Sequence, residues 1–425
     1  MKKKSLPLLN FLLLFSAALC AQNYEWRNIS LEESNYFDIV SENRNRLQEL
    51  RSQNTIESKK QIKQFERWAD FWGDRISPNG NFVSPMHTYN EWAKENNKNS
   101  QQRSSRTPNS NSWSLLGPTT PPQSNIEFYP GMGRVNTLAF QTDNTNIMYV
   151  GTPAGGIWKT TDGGSTWTSK SDNLPNIGVS HIVISPTDNN VLYAATGDWD
   201  GGHNLSIGVV KSTDAGETWN LTGLTFNLTN FDAISKLLID PNNTNTIFAT
   251  TRNSIKRSTN GGTTWGRIES VNMKYTFSGN DYYYIPNDLE VGADNRLWMG
   301  TISSALDSNS GGRVFSSTNG GTWTEAAASP LTNSNRVELE PSATNANKIY
   351  ALTQGTANTA PVHIYKTTNA FASVTTTSLP NDADTGIAAN DFCRGQAFYD
   401  LVIEADPTND NVVYVGGIDL FKSTN

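Results

Sequence analysis

Lys159-Thr-Thr-Asp-Gly-Gly-Ser-Thr-Trp167 decides the fold, because the chain repeats it. The same words return as Lys211-Ser-Thr-Asp-Ala-Gly-Glu-Thr-Trp219 and as Arg257-Ser-Thr-Asn-Gly-Gly-Thr-Thr-Trp265. A shorter copy runs Ser316-Ser-Thr-Asn-Gly-Gly-Thr-Trp323. Lys366-Thr-Thr-Asn369 keeps the first half, and Lys422-Ser-Thr-Asn425 stops with the chain. Each copy follows a short apolar run of strand type, such as Gly156-Ile-Trp-Lys-Thr160 or Gly208-Val-Val-Lys-Ser212. A cluster of Thr, Asp or Asn, and Gly then forces a turn. The Asp or Asn side chain accepts from the turn's own backbone, and Gly supplies the positive φ. Trp opens the returning strand and roofs the hairpin.

The polar position of the word reads Asp162, Asp214, Asn260, Asn319, Asn369 and Asn425. A catalytic acid or a hard-metal carboxylate would lose its chemistry as Asn. A turn-capping acceptor would not, because Asn keeps the carbonyl oxygen. These residues are therefore read as structural, and none of them as catalytic.

Between the turns lie further strands. Val135-Asn-Thr-Leu-Ala-Phe140 leads to Ile147-Met-Tyr-Val150, and Arg336-Val-Glu-Leu-Glu-Pro341 leads to Lys348-Ile-Tyr350. The turn recurs about every 50 residues, which leaves room for four strands per unit. One such sheet alone would leave two apolar faces wet, whereas sheets stacked face to face around an axis bury them. The expectation is an all-β fold, a β-propeller of four-stranded blades over residues 113–425. Six units are visible, the last lacking its outer strand. Ser112-Trp-Ser-Leu-Leu116 is of the right type to supply it. The chain is read as a fragment or an incomplete gene product.

The N-terminal part has another texture. Met1-Lys-Lys-Lys4 precedes an apolar run from Leu6 to Leu19, the pattern of a secretory signal peptide over residues 1–21. Leu19 before Cys20 is too large for a lipidation site, so cleavage is expected near Ala21. Residues 22–95 are read as a small α-helical arm of two helices, on the spacing of Tyr36, Val40, Leu47 and Leu50 and of Ile62, Phe65, Trp68, Trp72 and Ile76. That aromatic stripe is expected to dock on the main domain. Residues 96–112 are Asn, Ser, Gln and Arg rich and read as a linker. Cys393 is the one cysteine left after cleavage, read as a buried small apolar residue.

Ser/Thr-X-Asp-X-Gly-X-Thr-Trp is the Asp-box, and residues 113–425 resemble the Asp-box (BNR-repeat) β-propellers. That group includes sialidases, xyloglucanase-type glycoside hydrolases and the sortilin ectodomain. The resemblance implies that the Asp-box stands away from any active site. Gly131-Met-Gly-Arg-Val135, Gly151-Thr-Pro-Ala-Gly-Gly-Ile-Trp158, Ala195-Thr-Gly-Asp198 and Tyr414-Val-Gly-Gly417 are similar to the large secreted propeller proteins of Bacteroidota that use type IX secretion. The resemblance implies a secreted or outer-surface location.

The chain carries 33 basic and 40 acidic residues, a net charge of −7, and the acidic excess falls in the repeats. This disfavours nucleic acid and anionic membrane surfaces as partners. The four histidines lie far apart, without zinc-ligand spacing, and no metal site is expected. Gly-X-Ser-X-Gly, phosphate-loop and His-Glu-X-X-His motifs are absent. Tyr283-Tyr-Ile-Pro286 lacks the arginine a sialidase start would need.

The candidates for ligand contact come from loops instead. Gly197-Asp-Trp-Asp-Gly-Gly-His203 is a Gly-rich insertion that groups Asp198, Trp199 and Asp200. Trp199 could stack on a sugar, and the carboxylates could hold hydroxyls; a calcium ion is the one cofactor they would suit. Asp400, beside Tyr399, and Arg134, before the first strand, complete the set; Arg134 could equally pair with a neighbouring blade. Two functions fit. The main reading is a non-catalytic, monomeric scaffold or binding module for a polysaccharide or an extracellular protein. The alternative is a glycoside hydrolase of the xyloglucanase type, which needs two central carboxylates.

Overall fold

A computed structural model describes residues 30–102, 133–175, 178–201, 204–227, 232–252, 254–303, 311–357, 360–381 and 391–424. The signal peptide, residues 103–112 of the linker and the Ser112–Leu116 strand lie outside the described residues. The chain divides into two compact units, one running to His87 with residues 227–230 and one holding the rest.

The first unit is helical. Helix α1, Tyr36–Gln53, starts at Asn35, whose side chain accepts from the Phe37 N–H. Helix α2, Ile56–Gly73, starts at a capping box in which Thr55 and Ser58 satisfy each other's backbone. The aromatic stripe makes ring contacts within this unit. Trp68 stacks on Tyr36 at 6.0 Å and on Phe65 at 5.6 Å, and Trp72 meets Phe82 edge-on at 5.1 Å. A third helix, α3, spans Pro85–Gln102 where two helices are expected for the arm; from Thr88 onward it is counted with the second unit. Ser84 accepts from the His87 N–H at 3.0 Å and Pro85 takes the first helical position, a favourable start. Residues 96–102, read as linker, continue that helix. Among the described residues no helix is long and apolar enough to cross a membrane.

The second unit is a β-propeller of antiparallel sheets, as the repeats require. Five sheets have four strands and the sixth has three among the described residues. The first strands of blades 1 to 6 are Thr137–Gln141, Val179–Ile184, Ile234–Ile239, Ile285–Val291, Ser334–Pro341 and Val402–Ala405. They neighbour one another in chain order around the axis. A separate two-stranded hairpin, Lys274–Phe277 with Asn280–Tyr283, is inserted between blades 3 and 4.

The repeated turn closes itself as its chemistry predicts. Asp162 Oδ1 accepts from the Thr166 N–H at 2.8 Å and Oδ2 from the Thr166 hydroxyl at 2.6 Å. These bonds, the hydroxyl's first, hold the Asp162 carboxyl down at about 2. Asp214 makes the same pair with Thr218 at 2.8 and 2.6 Å. Asn260 keeps the backbone bond to Thr264 at 2.9 Å and turns its amide N–H to the Thr264 hydroxyl at 2.8 Å. Asn319 accepts from the Thr322 N–H at 2.9 Å. One acceptor oxygen does the work in every copy, which is why Asp and Asn interchange.

Blades join by a recurring contact. Tyr149 Oη donates to the Ala215 carbonyl in the turn of blade 2 at 2.8 Å, and Tyr193 Oη to the Gly261 carbonyl in blade 3 at 3.0 Å. Lys159 and Lys211 reach the same two carbonyls, each at 3.2 Å. Where the tyrosine is replaced, apolar rings fill the joint: Phe248 packs over Gly320, and Trp298 lies 5.6 Å from Phe371. Cys393 is fully buried, as its type suggests.

Candidate functional site

The antiparallel order decides where the candidates meet. Each first strand begins, each second strand ends and each third strand begins at one end of the propeller. The repeated turns follow the third strands and so lie at the other end. Arg134, the 197–204 loop, Arg252, Arg336 and Asp400 all sit at the first end.

The structure brings the sequence-chosen residues together there. The loop leaves blade 2 at Gly197, held in the left-handed region at φ 95°. Asp198 is buried and pairs with Arg134 Nη2, so Arg134 ties blade 1 to blade 2. A Cβ at Gly201 would run into the Asp198 carboxylate, so only glycine lets the loop pass this pair. Trp199 is not free to stack on a ligand: it is 8 % exposed, with the Arg252 guanidinium 4.9 Å above its ring. Arg252 Nη2 also donates to the Trp199 carbonyl at 2.9 Å.

Asp200 reaches furthest. Its Oδ1 lies 2.6 Å from Arg336 Nη1 of blade 5, while 20 % of its side chain meets solvent. Arg336 Nε is 2.6 Å from Glu338 Oε1, and Nη1 also donates to the Phe398 carbonyl at 2.9 Å. Burial pulls the Arg336 guanidinium towards losing its proton, but Glu338 and Asp200 outweigh that and hold it firmly charged.

Asp400 stands two residues beyond Phe398. Both its carboxylate oxygens are buried, with the weakly donating Cys393 thiol beside them. Burial pushes the Asp400 carboxyl up to about 6, more than the neighbouring thiol and Arg336 pull it down. Phe398, whose carbonyl accepts from Arg336, is 53 % exposed.

Below this end, a second set of charges lines the axis. Lys236 Nζ lies 3.0 Å from Asp288 Oδ1 and 2.7 Å from Glu290 Oε1. The Asn287 amide donates to Glu338 Oε1 at 2.8 Å, which links this set to Arg336. Burial, opposed by Lys236, raises Glu290 to about 7; burial with Glu404 and Glu290 raises Glu340 to about 9. His181 accepts from the Leu237 N–H at 3.3 Å, and burial beside Lys236 keeps its ring neutral. No group of three or more metal-binding side chains occurs among the described residues.

Sequence reasoning missed Arg336, Glu338, Lys236 and Phe398. A signal was present: first strands carry charge at every second position, as in Arg336, Glu338 and Glu340, or Asp288 and Glu290. Such alternation puts one charged row on one face of each strand.

No protein-family model matches the chain. A xyloglucanase of Hypocrea jecorina is 27 % identical over 236 residues, covering 48 % of this chain and 27 % of that protein. A xyloglucanase of Acetivibrio thermocellus is 30 % identical over 175 residues, covering 38 % of this chain and 20 % of that protein. The crystal structure of a GH74 enzyme of Niastella koreensis has a TM-score of 0.52 at 23 % identity, over 68 % of this chain and 45 % of that one. The chain thus matches 27 % and 20 % of the length of these two curated relatives. The fold defines a β-propeller, and its similarity is to glycoside hydrolases of the xyloglucanase kind. These likenesses back the hydrolase alternative better than the non-catalytic scaffold.

Proposed function

We propose that the propeller is a glycoside hydrolase acting on a xyloglucan-type polysaccharide, with Asp400 and Asp200 as its two carboxylates. The observation that carries this reading is their shared neighbour. Arg336 pairs with Asp200 at 2.6 Å and also faces Asp400, yet the two acids sit in different surroundings. Asp400 is desolvated and holds its proton up to about pH 6, which suits donation to the glycosidic oxygen. Asp200 is partly open and ion-paired, which suits taking a proton from the attacking water. Phe398 would carry a sugar ring on its exposed face. Arg134 and Arg252 hold the loop that carries Asp200. The relatives' printed activity supports the substrate class.

Export through the Met1–Ala21 segment, and kinship with the Asp-box propellers of type IX secretion, belong to the same proposal. The test is release of reducing ends from xyloglucan by the purified chain, alongside Asp400→Asn and Asp200→Asn. Each substitution should cost at least about 10²-fold in rate. Wild type that releases no reducing ends, or substituted chains that keep full rate, would end the reading.

A further inference from the structure

Asn287 leaves a buried oxygen unpaired. The residue is 2 % exposed, and its carbonyl Oδ1 has no hydrogen-bond partner. Its amide nitrogen, by contrast, is fully used. It donates to the Val337 carbonyl at 3.3 Å and to Glu338 Oε1 at 2.8 Å, both in blade 5. A buried acceptor without a partner calls for a reason, and the donor on the same amide supplies one.

The backbone aims that donor. Against its partner strand, the first strand of blade 4 holds one extra residue, Asn287, between Pro286 and Asp288. Such a bulge turns a side chain out of the regular alternation. Blade 2 has the same irregularity at Ser180, whose buried hydroxyl meets no partner among the described residues. The longer side chain of Asn287 crosses to the next blade instead. Asp288 fastens the same strand of blade 5 one step further on, where its Oδ2 accepts from the Leu339 N–H at 2.7 Å.

The group held in this way is Arg336. Glu338 Oε1 accepts from Asn287 on one side and from Arg336 Nε, at 2.6 Å, on the other. The opposite end of the guanidinium reaches both acidic segments. Nη1 lies 2.6 Å from Asp200 Oδ1 and 2.9 Å from the carbonyl of Phe398, two residues before Asp400. A planar guanidinium bonded at both ends is fixed in angle as well as in place. One rigid group thus sets where Asp200 of blade 2 stands relative to the segment that carries Asp400.

We propose that Asn287 is a positioning residue, which through Glu338 and Arg336 fixes the spacing between Asp200 and Asp400. It touches neither acid. The inference rests on the hydrolase reading, because the spacing of two carboxylates decides how they act on one glycosidic bond. Without the amide, Glu338 is held by Arg336 alone, and the two turn together.

Two substitutions test it. Asn287→Leu keeps the bulk and removes the donor, and Asn287→Ser is too short to reach Glu338. Both are assayed on xyloglucan beside wild type, with melting curves. In each, kcat should fall about tenfold or more, with KM within about twofold of wild type. The alkaline limb of the kcat profile should move to higher pH. Burial raises the Asp400 carboxyl and Arg336 is among the groups that oppose it, so a loosened Arg336 opposes it less. A residue that only stabilised the blade would lower the melting temperature and leave that limb in place. Wild type that releases no reducing ends would end the hydrolase reading and this inference with it. Variants that keep the wild-type kcat, or lose rate with the limb unmoved, would end this inference alone. Variants that do not fold would assign Asn287 to the core and overturn it as well.

Discussion

Asp200 and Arg336 stand 136 residues apart in the chain and 2.6 Å apart in space. Blade 2 lends the carboxylate and blade 5 the guanidinium, so the loop of one blade is pinned by the first strand of another across the axis. Arg336 also binds Glu338, so its removal strands one acid inside the protein. Arg336→Met should cost about 3–5 kcal/mol, the usual cost of breaking a buried pair. Thermal melting checks this. Adding Glu338→Gln should recover part of the loss, because the uncompensated charge is then gone.

The pH dependence follows from Asp400, whose carboxyl is raised to about 6 by burial. As proton donor it works in its neutral form. Hydrolysis should therefore fall as pH rises through about 6, and Asp400→Asn should remove that limb along with most of the rate. Stability should move the same way. A carboxyl raised in the folded state binds its proton more tightly there than in the unfolded chain, so stability declines between about pH 4 and 6. Melting temperatures across that range, which should fall less steeply in Asp400→Asn than in wild type, check the sign.

The turn is tested best at an uncharged copy. Asn260→Asp preserves the oxygen that accepts from the Thr264 N–H at 2.9 Å and should leave stability nearly unchanged. Asn260→Ala leaves that N–H and the Ser258 hydroxyl without their acceptor and should cost about 1 kcal/mol. Urea unfolding of both variants separates an acceptor role from a charge role.

Gly320 is held at φ 64°, and a Cβ there would run into the Phe248 ring of the adjoining blade. Gly320→Ala should destabilise by about 1–3 kcal/mol through strain and overpacking together. Pairing it with Phe248→Leu should return part of that cost, which a double-mutant cycle measures.

The hairpin turns were legible because their chemistry is local: Thr160, Asp162 and Thr166 lie within seven consecutive positions and satisfy one another. The blades followed from repetition. Helix α3 was not legible from composition, since its polar second half hides the Ser84–Pro85 start. At the site, the Gly-rich insertion marked Asp198, Trp199 and Asp200, and the structure groups them with Arg134 and Asp400. It also turns Trp199 inward under Arg252, because only the folded ring brings blade 3 next to that loop. In the sequence Arg336 reads only as part of a strand. Its partners lie in other blades, and no window of sequence contains them.

The joint between Tyr193 and the Gly261 carbonyl has an evolutionary corollary. A main-chain oxygen is furnished by all twenty amino acids, so the receiving unit needs no matching side chain. A segment copied in tandem would fit its new neighbour at birth, before any adaptive change. The lineage of such genes can then lengthen by duplication while the turn drifts freely between aspartate and asparagine.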